Sequence, residues 1–441
     1  MTKIVILGLG KTGYSCVSHL VAHGSNEIIV MDTRELPPYF NELQANFPEV
    51  PCYRGEFDSK CLKQADQIII SPGISLHEPA VQVAQANNIP IVGDIELFAQ
   101  QVKAPVAAVT GSNGKSTVVT LVGEMVRASG KKALVAGNIG LPVLDALKLP
   151  VPDFYILELS SFQLETTQSL APLAAANLNL QPDHLDRYED LSAYLKAKQK
   201  IYTHCQIAVI NRDQRSTVEN LELPQTISFG MDHPQEAQFG LSDGYLWFGQ
   251  QRLIHPSELR IAGQHNWSNA LAALAIGQAL GLPLAAMIAA LKNFHGLAHR
   301  CQWAAAKNGI TWFNDSKGTN VGASCAAISG LGDPLTKNII LIAGGQGKNA
   351  DFSPLREVVA AFVKVVILIG IDAPLIEQAL QGAVPIYRAK SLKQAVSLAH
   401  EHAVINDKVL LSPACASLDM FKNFEERGEI FMQTVKELLD E

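Results

Sequence analysis

The chain repeats one local pattern along its length: an apolar run short enough for a strand, a glycine-rich or polar turn, then a run with helical spacing. The pattern is sharpest at Val109-Thr110-Gly111-Ser112-Asn113-Gly114-Lys115-Ser116-Thr117, where strand-like residues 105–109 lead in and helix-compatible residues 118–127 lead out. Strand, loop and helix in that order bring successive backbone N–H groups and a helix N-terminus onto one point, a geometry that holds phosphates. Lys115 would neutralise phosphate charge and Ser116 would ligate Mg²⁺, so the loop reads as an ATP site. The standard pattern has a further glycine five positions before Gly114, and Val109 stands there instead.

The amino-terminal residues follow the same logic with a different loop. An apolar strand at 3–7 runs into Gly8-Leu9-Gly10-Lys11-Thr12-Gly13, residues 14–23 suit a helix, and a second strand at 27–31 ends at Asp32. This is the dinucleotide fingerprint, with its acidic residue about 20 positions on. Taken alone it points to a dehydrogenase. The physics asks only for a diphosphate at the helix start and a ribose or base near Asp32, which a UDP-linked molecule also supplies. A further strand at 67–70 ends in Ser71-Pro72-Gly73, at the sheet edge where ligands sit in such folds or as an ordinary tight turn.

After a helix-like connector at about 93–105, strands recur at 133–136, 155–159, 173–180 and 206–210, a second doubly wound α/β pattern. From 226 to 263 short alternating strands and a turn at Ser242-Asp243-Gly244 predict a small flanking antiparallel sheet. Residues from about 299 alternate again, with strands at 338–342, 365–369, 385–388 and 408–411. The fold class expected is therefore α/β in three domains: a Rossmann-like unit at 1–93, a central phosphate-loop unit at 94–298 and a Rossmann-like unit at 299–441. No repeat of 20 to 50 residues indicates a solenoid.

Composition narrows the function classes. At 441 residues, 48% hydrophobic and 17% charged, the chain can bury several cores. A net charge of -7 argues against a nucleic-acid surface, so anionic ligands must be met by local cations. Seven scattered cysteines without a C-x-x-C pair read as reduced thiols, and no secretory leader precedes the first strand, so a cytoplasmic location is expected. The apolar stretch 270–291 is split by Gly281-Leu282-Pro283 into pieces too short to span a bilayer that needs about 20 residues.

Several polar groups fall at strand ends on the ligand edge. Glu158 closes the run Tyr155-Ile156-Leu157, as a second Mg²⁺ ligand or as a solvent-facing strand end. Asp183-His184-Leu185-Asp186-Arg187 follows the strand ending near Leu180, and Lys196-Ala197-Lys198-Gln199-Lys200 has the look of a solvated helix face. Asn314-Asp315-Ser316-Lys317-Gly318-Thr319-Asn320 and Ala343-Gly344-Gly345-Gln346-Gly347-Lys348 each place a lysine after an apolar strand, which suggests a domain that closes on a neighbour's nucleotide.

Together these elements resemble the Mur ligases of peptidoglycan synthesis, over the whole chain and in the same order. The resemblance rests on Thr110–Thr117, Glu158-Leu159-Ser160-Ser161, Asp183-His184-Leu185-Asp186, His265-Asn266-Trp267-Ser268-Asn269-Ala270, His299-Arg300 and Asn314-Asp315-Ser316-Lys317. The Gly8 loop, Asp32-Thr33-Arg34, Ser71-Pro72-Gly73, Ser412-Pro413-Ala414-Cys415-Ala416-Ser417-Leu418-Asp419 and Phe421-Lys422-Asn423-Phe424 are similar to the D-glutamate-adding members. The resemblance implies ATP-dependent joining of D-glutamate to UDP-N-acetylmuramoyl-L-alanine through an acyl phosphate and a tetrahedral intermediate, by a monomer. It implies a phosphate site at Gly111, Ser112, Asn113, Gly114, Lys115, Ser116 and Thr117, with Asn269, Arg300, Asp315 and Lys317 holding the rest of ATP. Two Mg²⁺ sites would involve Ser116, Glu158, His184 and a carbamylated Lys198. Thr12, Asp32, Thr33, Arg34 and Gly73 would hold the uridine and diphosphate, Asn138 and His184 the muramoyl portion, and Lys348, Thr319, Ser417 and Phe424 the D-glutamate. Gln346 stands where the family often has an acidic residue. A nicotinamide dehydrogenase would leave the phosphate loop, Glu158 and the last domain without a role, and in a nucleotide-regulated binding protein the paired acid, histidine and lysines would be superfluous.

Overall fold

A computed structural model of the chain describes residues 2–24, 26–184, 187–261 and 263–440; Leu185 and Asp186 of the Asp183 run lie outside them. Three sheets follow one another along the sequence. The first is parallel, in the order Cys52–Arg54, Asn26–Asp32, Thr2–Leu7, Gln67–Ile70, Ile91–Val92. Its central strand is flanked by the second and the fourth, so the order reverses where the Gly8 loop leaves the sheet, the crevice in which such folds take ligands.

The middle sheet has nine strands, with Val106–Thr110 between Phe154–Glu158 and Ala174–Asn177. That again puts the switch point at the phosphate loop. The antiparallel strands expected after residue 226 are present, but they extend this sheet and do not stand apart. Gln238–Ser242 pairs in parallel with Gln225–Phe229 and then turns through Asp243 and Gly244, both at positive φ, into Tyr245–Phe248. Two central residues with φ > 0 suit the twist of a two-residue hairpin. The apolar stretch 270–291 is two helices, Gln264–Ala279 and Leu284–Asn293, as the Gly-Leu-Pro break requires. Among the described residues, no helix is long and apolar enough to cross a membrane. Both helices pack on the phosphate-loop helix Lys115–Ala128, which buries Val118, Leu121, Val122 and Met125 at helical spacing.

The last sheet runs Gln302–Lys307, Ile310–Asn314, Lys408–Leu411, Ile339–Gly344, Val363–Ile369, Ile386–Arg388 and is parallel except for its first strand. The three middle strands release the Asn314, Ser412 and Gly344 loops at one edge. The strand at 302–307 was not read from sequence. Its Ala304-Ala305-Ala306 run favours a helix in isolation, and pairing with Ile310–Asn314 overrides that preference.

Candidate active site

The phosphate loop is shaped by two close approaches. Gly114 sits at φ 82°, and a Cβ there would lie 2.3 Å from Asn269 Oδ1, so the loop backbone is pressed onto the neighbouring helix and only glycine fits. Asn179, at the edge after the Ala174–Asn177 strand, holds the other side: its Oδ1 accepts from Asn113 N at 2.8 Å and its Nδ2 donates to Asn113 O at 3.0 Å. Lys115 opens the helix and folds back to donate to Gly111 O and Ser112 O at 2.7 and 2.9 Å, a posture in which its ammonium lies over the loop. Burial lowers the pKa of Lys115, with Glu158 opposing and Arg300 adding to the shift.

Glu158 is 3% exposed. Its Oε1 accepts from Asn138 Nδ2 at 2.7 Å, whereas its Oε2 is buried with no hydrogen-bond partner among the described residues. A buried carboxylate oxygen left in that state costs several kcal/mol unless a cation meets it. With the Ser116 hydroxyl it offers the hard oxygen donors that suit Mg²⁺. Among the described residues no group of three or more His, Cys, Asp or Glu could hold a metal alone.

Lys198 is no solvated helix residue. It is 1% exposed, its Nζ donates to Gly111 O at 2.9 Å and lies 4.4 Å from the Tyr194 ring centroid. Burial first, and then the Lys115 charge, push its pKa well below that of an ordinary lysine. The helical pattern of 191–199 could have found it, since Tyr194, Ala197 and Lys198 are the buried positions. His184 sits at φ 57° with its ring edge-on to Phe162 at 4.9 Å, and its Nε2 lies 3.7 Å from Asp183 Oδ2.

The last domain reaches across to this loop. Arg300 donates to Ser116 Oγ at 3.0 Å, and Asn320 Nδ2 lies 3.2 Å from both Asn113 Oδ1 and Asp183 Oδ2. Asp315 accepts from Cys301 N and Ser412 Oγ, and burial raises its pKa to about 6. Lys317 Nζ lies 3.5 Å from the Phe424 ring centroid, and burial with the Arg300 charge lowers its pKa to about 8. A cavity of about 810 Å³ lies between the two domains, lined by Asn113, Gly114, Thr117, His184, Asn269, Arg300, Asp315, Lys317, Thr319 and Lys348. Ser417 and Phe424 are not among its lining residues: Ser417 is buried, and Phe424 gives its carbonyl to Ser316 Oγ and its ring to Lys317. Arg427, wholly buried, ties these loops together by donating to Ser316 O and Cys415 O; a lone arginine on an amphipathic helix gave no signal in the sequence.

The amino-terminal cluster is separate from this cavity. Asp32 accepts from Leu9 N at 2.7 Å and holds Arg34 through both oxygens at 2.6 and 2.8 Å. Burial pushes the Asp32 pKa up, but these hydrogen bonds outweigh it and hold the carboxyl below its usual range. Asp32 thus shapes the Gly8 loop and orients Arg34. Arg187 joins the two regions: it donates to the carbonyls of Pro72, Gly73 and Ile74 while stacking 4.3 Å from the Phe162 ring centroid.

Comparison with known proteins matches this series of units piece by piece. Residues 2–93 match the MurD-like N-terminal domain of Mur ligases, 109–277 the Mur ligase middle domain and 299–415 the Mur ligase glutamate ligase domain. The chain is a Mur ligase. This Mur ligase is 50% identical to the UDP-N-acetylmuramoylalanine--D-glutamate ligase of Nitrosococcus oceani, over 99% of this chain and 96% of that protein. It is 49% identical to the protein of the same name from Pseudomonas aeruginosa, over 98% of each chain. Its fold is similar to the solved UDP-N-acetylmuramate-alanine ligase MurC of Thermotoga maritima, with a TM-score of 0.62 at 19% identity over 99% and 100% of the two chains. MurF of Acinetobacter baumannii is similar as well, with a TM-score of 0.60 at 17% identity over 98% and 93%.

Proposed function

We propose that this Mur ligase joins D-glutamate to UDP-N-acetylmuramoyl-L-alanine in the cytoplasm at the expense of ATP, acting as a monomer whose units divide near residues 93 and 298. The observation that carries the reading is the convergence of Arg300, Lys317 and Lys348 on one cavity at the phosphate loop, whose Lys115 lies within electrostatic reach of Arg300 and Glu158. The relatives at about half identity, matched over nearly the full length of both chains, carry this activity in their names.

A free carboxylate is a poor electrophile, and transfer of the γ-phosphoryl group to it gives an acyl phosphate whose phosphate then leaves as the amine attacks. Every participant is anionic, so catalysis here is chiefly positioning and charge neutralisation. Lys115 and the loop N–H groups would hold the β- and γ-phosphates. Arg300 and Lys317, entering from the last domain, would add positive charge on the opposite side, with Asn269 and Asp315 completing the nucleotide site. Ser116, Glu158 and His184 would hold Mg²⁺, which when bound screens the reacting oxygens. Lys348 would pair with a carboxylate of D-glutamate, beside Thr319. Among the described residues the hydrogen bond of Lys198 Nζ goes to a carbonyl, Gly111 O, and burial favours the neutral amine, the form that adds CO₂ with N–C bond formation and release of a proton to give a carbamate that would help position the metal.

The test is phosphate release from Mg-ATP with UDP-N-acetylmuramoyl-L-alanine, adding D-glutamate, L-glutamate, L-lysine or no amino acid. Release that requires D-glutamate is expected. Release with another amino acid would move the assignment to a sister ligase.

A further inference from the structure

The glycine loop of the amino-terminal sheet holds a cation that the reading above does not use. Lys11 is the first residue of the helix Lys11–His23, directly after Gly8-Leu9-Gly10. Its exposed side chain crosses to the middle domain, where Nζ donates to Gly140 O at 2.6 Å. Gly140 belongs to the turn that follows the strand Ala133–Gly137, and that turn is anchored beside the reacting centre: Asn138 N donates to Glu158 O at 2.8 Å and Asn138 Nδ2 to Glu158 Oε1 at 2.7 Å. Lys11 thus spans the gap between the loop built for a diphosphate and the turn next to Glu158.

The charge balance of the loop gives this position weight. The other cation beside it, Arg34, is fixed on Asp32 by two hydrogen bonds and its charge is largely offset there. The helix start has no side-chain cap. Lys11 is paired with a neutral carbonyl, so its full charge remains available. The whole chain is acidic, at -7, and cannot attract a dianion except through such local groups.

We infer that Lys11 is a binding residue for the diphosphate of the UDP-linked substrate, its ammonium exchanging Gly140 O for phosphate oxygen when the nucleotide arrives. The inference rests on the substrate assigned above. A molecule with its diphosphate at the Gly8 loop and its sugar at Asn138 passes the Lys11 ammonium on the way.

The experiment uses UDP and uridine as probes on the full chain, with Lys11→Met and Lys11→Arg, followed by steady-state kinetics. UDP affinity should fall about 10-fold or more in Lys11→Met, as for loss of a hydrogen bond to a charged group. Uridine binding should not change, and Lys11→Arg should keep most of the UDP affinity. In turnover the loss should appear in KM for the UDP-linked substrate and not in KM for ATP, and the salt dependence of that KM should weaken. Equal UDP affinity in wild type and Lys11→Met would overturn the assignment of Lys11, also if the variant melts earlier, since that combination describes an interdomain tie alone. A wild-type chain that does not bind UDP would remove the nucleotide-substrate reading itself.

Discussion

At the scale of single residues, the lysines in and beside the cavity differ in what their surroundings make of them. Lys115 is folded over its own loop, so Lys115→Ala should abolish ATP turnover while leaving the fold intact, checked by phosphate release and circular dichroism. Lys348 lines the cavity on the side of the last domain. Lys348→Ala should raise KM for D-glutamate about 10-fold or more and leave nucleotide affinity nearly unchanged, as expected when a charged hydrogen-bonding group is lost; equal losses for both ligands would contradict its role. Lys317 is held at a pKa of about 8 by burial and the Arg300 charge, below its unfolded value. The folded chain then binds fewer protons than the unfolded one from about pH 8 up to the ordinary lysine range, and stability from this group rises with pH across that window. Thermal melts of wild type and Lys317→Met should therefore diverge in favour of the wild type as pH is raised from 8 to 10. A pH-independent difference would mean that Lys317 titrates normally.

At the scale of elements, the two nucleotide loops depend on glycines for different reasons, and substitution separates them. A Cβ on Gly13 would lie 1.8 Å from Gly8 O, because the helix Lys11–His23 is seated against the strand end; at Gly10 a Cβ meets nothing within 4 Å. Gly13→Ala should cost roughly 1–3 kcal/mol and weaken UDP binding together. Gly10→Ala should stay within about 0.5 kcal/mol in denaturant unfolding. Such loops were legible in the sequence because their function and their backbone demand the same residues. The strand–loop–helix order expected at Gly8 and at Gly111 is the order found. What escaped was set by partners distant in sequence. The strand expected at 173–180 is present but shorter, Ala174–Asn177, and its alanines fit between two packed layers because they are small. By composition Lys198 is like Lys196 and Lys200; its place on the helix face that buries Tyr194 and Ala197, with Nζ on Gly111 O, sets it apart. Asn179, Arg187 and Asn320 act by hydrogen bonds to loops more than sixty residues away, which no local pattern encodes.

For the whole molecule, the two interdomain joints are built from different materials. One apolar cluster contains Ile4, Ile6, Leu9 and Val17 of the first domain together with Val106, Ala108, Tyr155 and Leu157 of the middle one. The clusters of the last domain contain only its own residues. Its joint to the phosphate loop rests on polar contacts, Arg300 with Ser116 and Asn320 with Asn113 and Asp183. A shared apolar core resists opening, whereas a few hydrogen bonds between polar surfaces exchange readily with water. The last domain is thus the part expected to swing, carrying Lys317 and Lys348 toward or away from Lys115. Removing the contacts in Arg300→Met/Asn320→Ala should open the molecule, so that the radius of gyration from small-angle scattering exceeds that of the wild type, about 22 Å for a compact chain of this length. The matching cut in the first joint, Arg187→Met, leaves the shared core in place and should not change the radius. Mg-ATP should draw the double variant partly closed again, since the phosphates still attract Lys317, and its KM for ATP should rise with the opening. If the Arg187 variant expands and the double variant does not, the hinge lies between the first two domains and the apolar cluster is not what holds them.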